Sequence, residues 1–272
     1  MVRVVFGGLA VIFALSFVLL GVGTGGGGFS FSDLFGGGGG SSASSAFDSD
    51  INAQEAKLKI NPNDPVALAQ LVQLHYQAGS QAVNSDGSLT SDGEQQLRES
   101  ADSWNKLIKV TKTGDVNQSA ALFALNTFDQ LGTVDFQKAR GDTTTTDALT
   151  DVQSATDDWT SAAQAQQILI QKDPKKATPN TYGRLASYLY LSGQTQAADR
   201  AAAQAASGSG SSSTQSQLAP IKKLGVQLQA AIKQLQKQQQ QSQGATGGGS
   251  NPLGGVGGGT SGGLGGVGTG GL

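Results

Sequence analysis

The chain has 272 residues, 40 of them glycine, and it contains no cysteine. The missing thiols exclude disulfides, a thiolate metal site and a cysteine nucleophile. With 18 lysines and arginines against 20 aspartates and glutamates, the net charge is −2, which excludes the strongly basic surface typical of nucleic-acid-binding proteins.

The first element along the chain is an apolar segment at 4–22, VVFGGLAVIFALSFVLLGV, which carries no charge. A helix needs roughly 20 such residues to cross about 30 Å of hydrocarbon, so residues 1–22 are predicted to be an uncleaved transmembrane anchor. The alternative is a cleaved signal peptide, whose apolar region is usually shorter, about 7–15 residues. Arg3 precedes the span and the next basic residue is Lys57, so the positive-inside bias places the N-terminus in the cytoplasm and the bulk of the chain outside.

Two glycine-rich segments flank the part of the chain that can form a core. Residues 23–49 are predicted to be a Gly/Ser-rich flexible spacer, and residues 244–272 a disordered Gly-rich tail, because both have few side chains to bury. Residues 50–207 lie between them. That stretch is long enough for a single compact domain.

The first well-marked helix of this domain is predicted between Asp64 and Gly79, although helical periodicity begins near Ile51. Asp64 is a favourable N-cap, Pro65 suits the first helical position, and Gly79 is a typical C-terminal residue. One apolar face follows the i, i+3, i+4, i+7 spacing of a helix. Its members are Leu68, Leu71, Val72 and His75.

The same periodicity predicts the remaining helices of the domain. They span 93–111, 116–131, 147–172 and a hairpin at 178–206. Polar, turn-forming stretches at 80–92 and 141–146 are predicted loops. Gly132 is a predicted helix end, and Gly193 is the predicted turn of the hairpin.

A last helix is predicted at 215–241, with a polar face rich in Gln and Lys. Its apolar residues alternate intervals of three and four, which is a heptad seam of about two repeats. They are Ile221, Leu224, Leu228, Ala231 and Leu235. Two hypotheses remain open: this helix caps the last hairpin, which we favour, or it pairs with another chain as a coiled coil.

The hairpin at 178–206 carries the most specific pattern in the chain, with large residues on its first helix and alanines on its second. The pattern is Tyr182, Leu185-Ala186, Leu189, Gly193, Ala198, Ala202 and Ala205. It resembles the tetratricopeptide repeat (TPR), and weaker matches cover about 145 residues in all. The weaker matches are Leu68…Leu71-Val72…His75…Gly79 with Ser100…Trp104…Leu107, and Ala121…Ala124-Leu125…Phe128…Gly132 with Ala162…Leu169…Pro174.

The resemblance implies an all-α solenoid of stacked antiparallel helical hairpins, similar to the degenerate repeats of bacterial membrane-anchored members. The glycines at 79, 132 and 193 are 53 and 61 residues apart. The family spacing is about 34 residues, so an irregular superhelix with longer loops and second helices is expected.

The resemblance also implies that first helices line a concave face that binds a protein or peptide. The candidate binding residues are Gln73, Tyr76, Gln77, Asn126, Asp129, Asn180, Ser187 and Tyr190. Asn and Gln can bond an extended backbone, and Tyr offers apolar area with a polar tip. This set contains no Lys or Arg, which argues against binding of a partner's terminal carboxylate.

No catalytic, cofactor-binding or metal site is predicted, and the chain is not expected to be an enzyme. His75 is the single histidine and occupies a position where the repeat has an aromatic residue, so packing is its predicted role. One histidine excludes a two-histidine metal site. The adjacent carboxylates Asp157 and Asp158 have no neighbouring ligand set and are predicted to lie on a solvated helix surface.

These observations predict a membrane-anchored scaffold that binds proteins or peptides on the extracytoplasmic side, in secretion or envelope assembly. The alternative is an envelope structural or tethering protein that acts through its Gln-rich helix and Gly-rich tail. In that case the repeats would serve as a spacer.

Overall fold

A computed structural model describes residues 45–207 and 211–247, and within them the chain is all-α, as predicted. The predicted anchor at 1–22, the first part of the spacer and the tail beyond residue 247 lie outside the described residues. Among the helices that are described, none is both long enough and apolar enough to cross a bilayer.

Eight α-helices and one short 3₁₀-helix make up the described part of the chain. They are α1 (Ser45–Ile60), α2 (Pro65–Gln81), α3 (Ser91–Val110), the 3₁₀-helix (Thr113–Asp115), α4 (Gln118–Gly141), α5 (Thr145–Lys172), α6 (Pro179–Leu191), α7 (Thr195–Ala206) and α8 (Ser211–Gly247). Each helix from α2 to α7 packs most closely on its partner in one of three successive hairpins, α2–α3, α4–α5 and α6–α7.

Contacts across the hairpins show that their helices run antiparallel. At the closed end of the first hairpin, Gly79 of α2 lies against Gly93 of α3. Further along, the Ser100 hydroxyl of α3 donates to the Val72 carbonyl of α2 at 2.8 Å. The first two hairpins stack so that α2 also contacts α4, where the Tyr76 and Phe123 rings have centroids 5.4 Å apart.

One hydrophobic core runs through the three hairpins and continues under α8. Trp104, Phe128 and Leu131 are among its largest fully buried side chains. Helix α8 lies on α5, α6 and α7, and its buried side chains include Leu224 and Leu228. The apolar seam noted in the sequence is therefore used against the repeats within this chain.

Local sequence signals account for several helix ends. The Asp64 carboxylate accepts hydrogen bonds from the Val66 and Ala67 amides at the start of α2. Thr178 and Thr181 form a reciprocal capping box at the start of α6. Gly193 has φ +79°, a left-handed conformation that favours glycine, and it turns the chain between α6 and α7 as predicted.

The predicted helix ends at Gly79 and Gly132 are wrong, because both glycines lie inside helices that continue to Gln81 and Gly141. Their role is close packing. A Cβ on Gly79 would lie 2.8 Å from the Gly93 carbonyl oxygen, and one on Gly132 would lie 2.7 Å from Trp159 Nε1. At both positions the absence of a side chain lets the neighbouring helix pack closely. A larger residue would push that helix away.

The predicted loop at 141–146 is also too long, since only 142–144 separates α4 from α5. The low helix propensity of the threonine run is offset by its capping chemistry. Thr144 Oγ1 accepts a hydrogen bond from the Asp147 amide, which lets the following threonines enter the first turn of α5.

Candidate functional site

A cleft lies between α4 and α6, which are the first helices of the second and third hairpins. Its volume is about 550 Å³. The beginning of α4, the end of α5 and the beginning of α6 meet at this end of the stack. Of the eight predicted binding residues, Asn180 is the one that lines this cleft.

The walls of the cleft combine an apolar floor with a polar rim. Leu125 on α4 and Leu169 and Ile170 on α5 supply apolar surface. Leu122 also lines the cleft and is 38% exposed. The rim is polar and includes Gln118, Ser119, Lys176, Asn180, Thr181 and Arg184.

Gln166 is the buried polar residue of the cleft wall. It is only 4% exposed as a whole residue, and its amide atoms are not among the fully buried side-chain atoms that lack a hydrogen-bond partner. A ligand with a donor or acceptor at this depth can hydrogen-bond to this amide.

Arg184 links the cleft to a polar cluster that joins α4 and α6. Its Nη2 donates to Asn126 Oδ1 at 3.2 Å and lies 3.8 Å from Asp129 Oδ2. Its Nε donates to the Tyr188 hydroxyl at 2.9 Å. Burial, followed by the Asp129 carboxylate, raises the pKa of Tyr188, so this hydroxyl stays protonated at physiological pH.

Tyr76, which lies on α2 of the first hairpin, belongs to the same cluster. Burial raises the pKa of its hydroxyl, while the side chain of Gln130 acts in the opposite direction. Its ring packs on Phe123, and the Arg184 charge is close enough to influence its ionisation. Three of the predicted residues, Tyr76, Asn126 and Asp129, are thus brought together by the stacking of α2, α4 and α6.

The other predicted residues occupy separate positions. Gln73 and Gln77 are half-buried on α2, and Asn180 is exposed on the cleft rim. The Ser187 hydroxyl donates to the Gly183 carbonyl of its own helix. Tyr190 belongs to another group of contacts, because its hydroxyl donates to Asp199 on α7 and Lys222 on α8 lies 5.5 Å from its ring centroid.

Arg184 itself is the functional candidate that the sequence analysis missed. No Lys or Arg was predicted among the inward residues, whereas this guanidinium contacts two of them, Asn126 and Asp129. A signal was available, since Arg184 lies four residues after Asn180 and three before Ser187. Residues at those intervals share one helix face.

A second polar cluster lies where α3, α4 and α5 meet. Asp135 is 1% exposed, and its Oδ1 accepts from Arg98 Nη2 at 2.7 Å. Burial, then the charge of Asp135, raises the pKa of Asp158 to about 7. The solvated surface predicted for the Asp157–Asp158 pair is therefore wrong for Asp158, whereas Asp157 is exposed.

His75 is buried at 4% exposure, close to carboxylates on two other helices. Within the described residues, Glu55, His75 and Glu99 form the group whose potential ligand atoms are near enough together to hold a metal ion. No single hairpin contains all three residues. The sequence therefore gave no ligand spacing from which to predict the group.

Comparison of the chain with protein-family models, with curated proteins and with solved structures finds no match.

Proposed function

We propose that this protein is a membrane-anchored, TPR-like scaffold that binds an extended protein segment in the cleft between α4 and α6. The anchor follows from the apolar segment at 4–22, and the repeat interpretation follows from the stacked hairpins together with the pattern at 182–205. The bulk of the chain lies on the extracytoplasmic side in this proposal. A role in secretion or envelope assembly fits that topology.

The observation that carries the proposal is the composition of the cleft. It has an apolar floor, a partly exposed leucine at its edge and a glutamine amide deep in its wall. Apolar surface combined with a few polar groups is typical of a binding site. Catalysis is not part of the proposal. Binding of a peptide needs only apolar pockets and a few convergent hydrogen-bonding groups.

The chemistry of the walls indicates what kind of segment fits. A large apolar side chain would rest on Leu125, Leu169 and Ile170, and a backbone amide would reach Gln166. Arg184, whose side chain is nearly half exposed, is available to an acidic group at the edge. We therefore expect the bound segment to be an extended peptide that pairs an apolar anchor residue with a nearby carboxylate.

The test is crosslinking and affinity purification of the full chain from native membranes, with two matched variants. Leu122→Asp places a charge at the edge of the cleft. Val226→Asp places the same charge on α8, where the original side chain is 57% exposed and is not part of the cleft. Both positions are solvent-accessible, so neither variant should unfold the domain.

We expect one specific partner to be recovered with the wild type and with Val226→Asp, and to be lost with Leu122→Asp. Equal recovery from all three proteins would refute binding in the cleft. The tethering alternative has its own control, deletion of residues 248–272. A partner that survives Leu122→Asp but disappears with that deletion would favour tethering through the tail.

A further inference from the structure

We propose that Glu55, His75 and Glu99 bind a divalent transition-metal ion of the zinc type, which fastens α1 to the first hairpin. The three side chains come from α1, α2 and α3 respectively. One potential ligand atom from each lies within 4.8 Å of the other two. This site is separate from the cleft and does not depend on the function proposed for it.

The orientation of His75 is the first argument. Its Nδ1 lies 2.8 Å from Gln96 Oε1, and because an amide oxygen only accepts, Nδ1 must carry the proton. In the neutral ring Nε2 then keeps a free lone pair. Nε2 faces Glu99, at 4.0 Å from Oε2. Metal-binding histidines commonly have their second nitrogen fixed by a hydrogen bond of this kind.

The charge of the group is the second argument. Glu55 and Glu99 are two carboxylates held close together, and within the described residues neither has a Lys or Arg within ion-pair distance. Such a pair is repulsive unless a cation lies between its members. Elsewhere in this domain, by contrast, Glu94 has both Arg98 and Lys138 as partners.

The ligand set and distances suit zinc after a small closure. Zinc binds imidazole nitrogen and carboxylate oxygen at about 2.0–2.2 Å, which in tetrahedral geometry separates ligand atoms by roughly 3.3–3.6 Å. The side chains would have to approach one another by about 1 Å. The two glutamates are only half-buried and can make that movement. Three protein ligands leave a fourth position for water.

The expected consequence is mechanical. Within the described side chains of α1, residues 47–60, Ile51 is the one that is buried, and Leu58 is partly buried against the core. A metal ion shared by three helices would add a crosslink to these apolar contacts. Because α1 begins within the last residues of the predicted spacer, that crosslink would fix the point where the spacer joins the helical domain.

The test is a zinc titration of the full untagged chain in detergent micelles, read by calorimetry and by hydrogen exchange. We expect one Zn²⁺ per chain and slower amide exchange in α1, reversed by a chelator. Glu55→Gln, Glu99→Gln and His75→Phe should each weaken binding at least about tenfold, and Gln96→Ala should weaken it less because Gln96 only orients the ring.

Asp102→Asn is the matched control, since Asp102 is an exposed acidic residue on the same helix as Glu99 and lies outside the group. It should bind zinc like the wild type. The proposal is overturned if the wild type binds no zinc at micromolar concentration, or if both Glu→Gln variants bind as well as the wild type. The glutamate variants keep the test valid even if His75→Phe fails to fold.

Discussion

Replacing Asp158 by Asn should stabilise the protein above neutral pH and flatten its dependence on pH. Asp135 and Asp158 each have a buried Oδ2 without a hydrogen-bond partner. A single proton between the two carboxyl groups would satisfy both oxygens. Above pH 7 that proton is lost and two negative charges face each other, while Arg98 hydrogen-bonds to Asp135 and Glu94 but not to Asp158.

The magnitude follows from linkage. In the folded protein the pKa of Asp158 is about 7, against an ordinary value of 3.8. Between these values the native state holds more protons than the unfolded state, so the free energy of unfolding falls as pH rises. A pKa difference of about 3 corresponds to a loss of up to about 4 kcal/mol, complete once the pH exceeds 7.

An amide at position 158 donates to Asp135 at every pH and carries no charge. Urea unfolding followed by circular dichroism at several pH values between 5 and 8 measures the effect. We expect the stability advantage of Asp158→Asn over the wild type to grow by about 2–3 kcal/mol between pH 5 and pH 8. Groups that titrate identically in both proteins cancel in this difference.

Asp157→Asn is the control, because it removes the same charge from the exposed neighbour on the same helix. Its stability should follow the wild-type pH dependence. Identical pH slopes for Asp158→Asn and the wild type would refute the argument, as would a variant that is less stable than the wild type at pH 8. Either result would mean that Asp135 and Asp158 do not share a proton.

Two glycines that sit against other helices give further predictions. Gly132→Ala should lower the free energy of unfolding by about 1 kcal/mol, because overpacking against Trp159 outweighs the better helix propensity of alanine. Gly114→Ala, with open space around it, should change the urea midpoint little. In Gly225→Ala the added Cβ would clash with the Tyr190 carbonyl oxygen, so amide hydrogen exchange along α8 should become faster. Unchanged exchange in α8 would contradict this contact.

The sequence was sufficient for the helices because their signals are local. Capping at Asp64 and Thr178, and the left-handed turn at Gly193, depend on neighbours within four residues. The sequence was insufficient for the roles of Gly79 and Gly132. A glycine that ends a helix cannot be distinguished by sequence from one that lets a neighbouring helix pack closely. Only the position of Gly93 or Trp159 distinguishes the two roles.

The polar clusters were also hard to predict, because they depend on contacts between different helices. Asp158 Oδ2 is buried and Asp135 of α4 lies against this side chain, although the two residues belong to different helices. Arg184 reaches Asn126 across 58 positions. A pattern on one helix fixes which residues share a face, but it does not specify which residues of another helix will meet them. Tyr76, Asn126 and Asp129 were placed together only because the resemblance supplied the stacking order.

The position of the cleft follows from the unequal sizes of the hairpins. Helices α4 and α5 have 24 and 28 residues, whereas α6 and α7 have 13 and 12. The short third hairpin cannot cover the long second one, and α8 takes part of the uncovered surface by packing on α5. At the other end, contact between α4 and α6 is made through Arg184, and the first turns of both helices line the cleft instead of packing together. The candidate binding site is therefore the surface that the beginnings of α4 and α6 share with the end of α5.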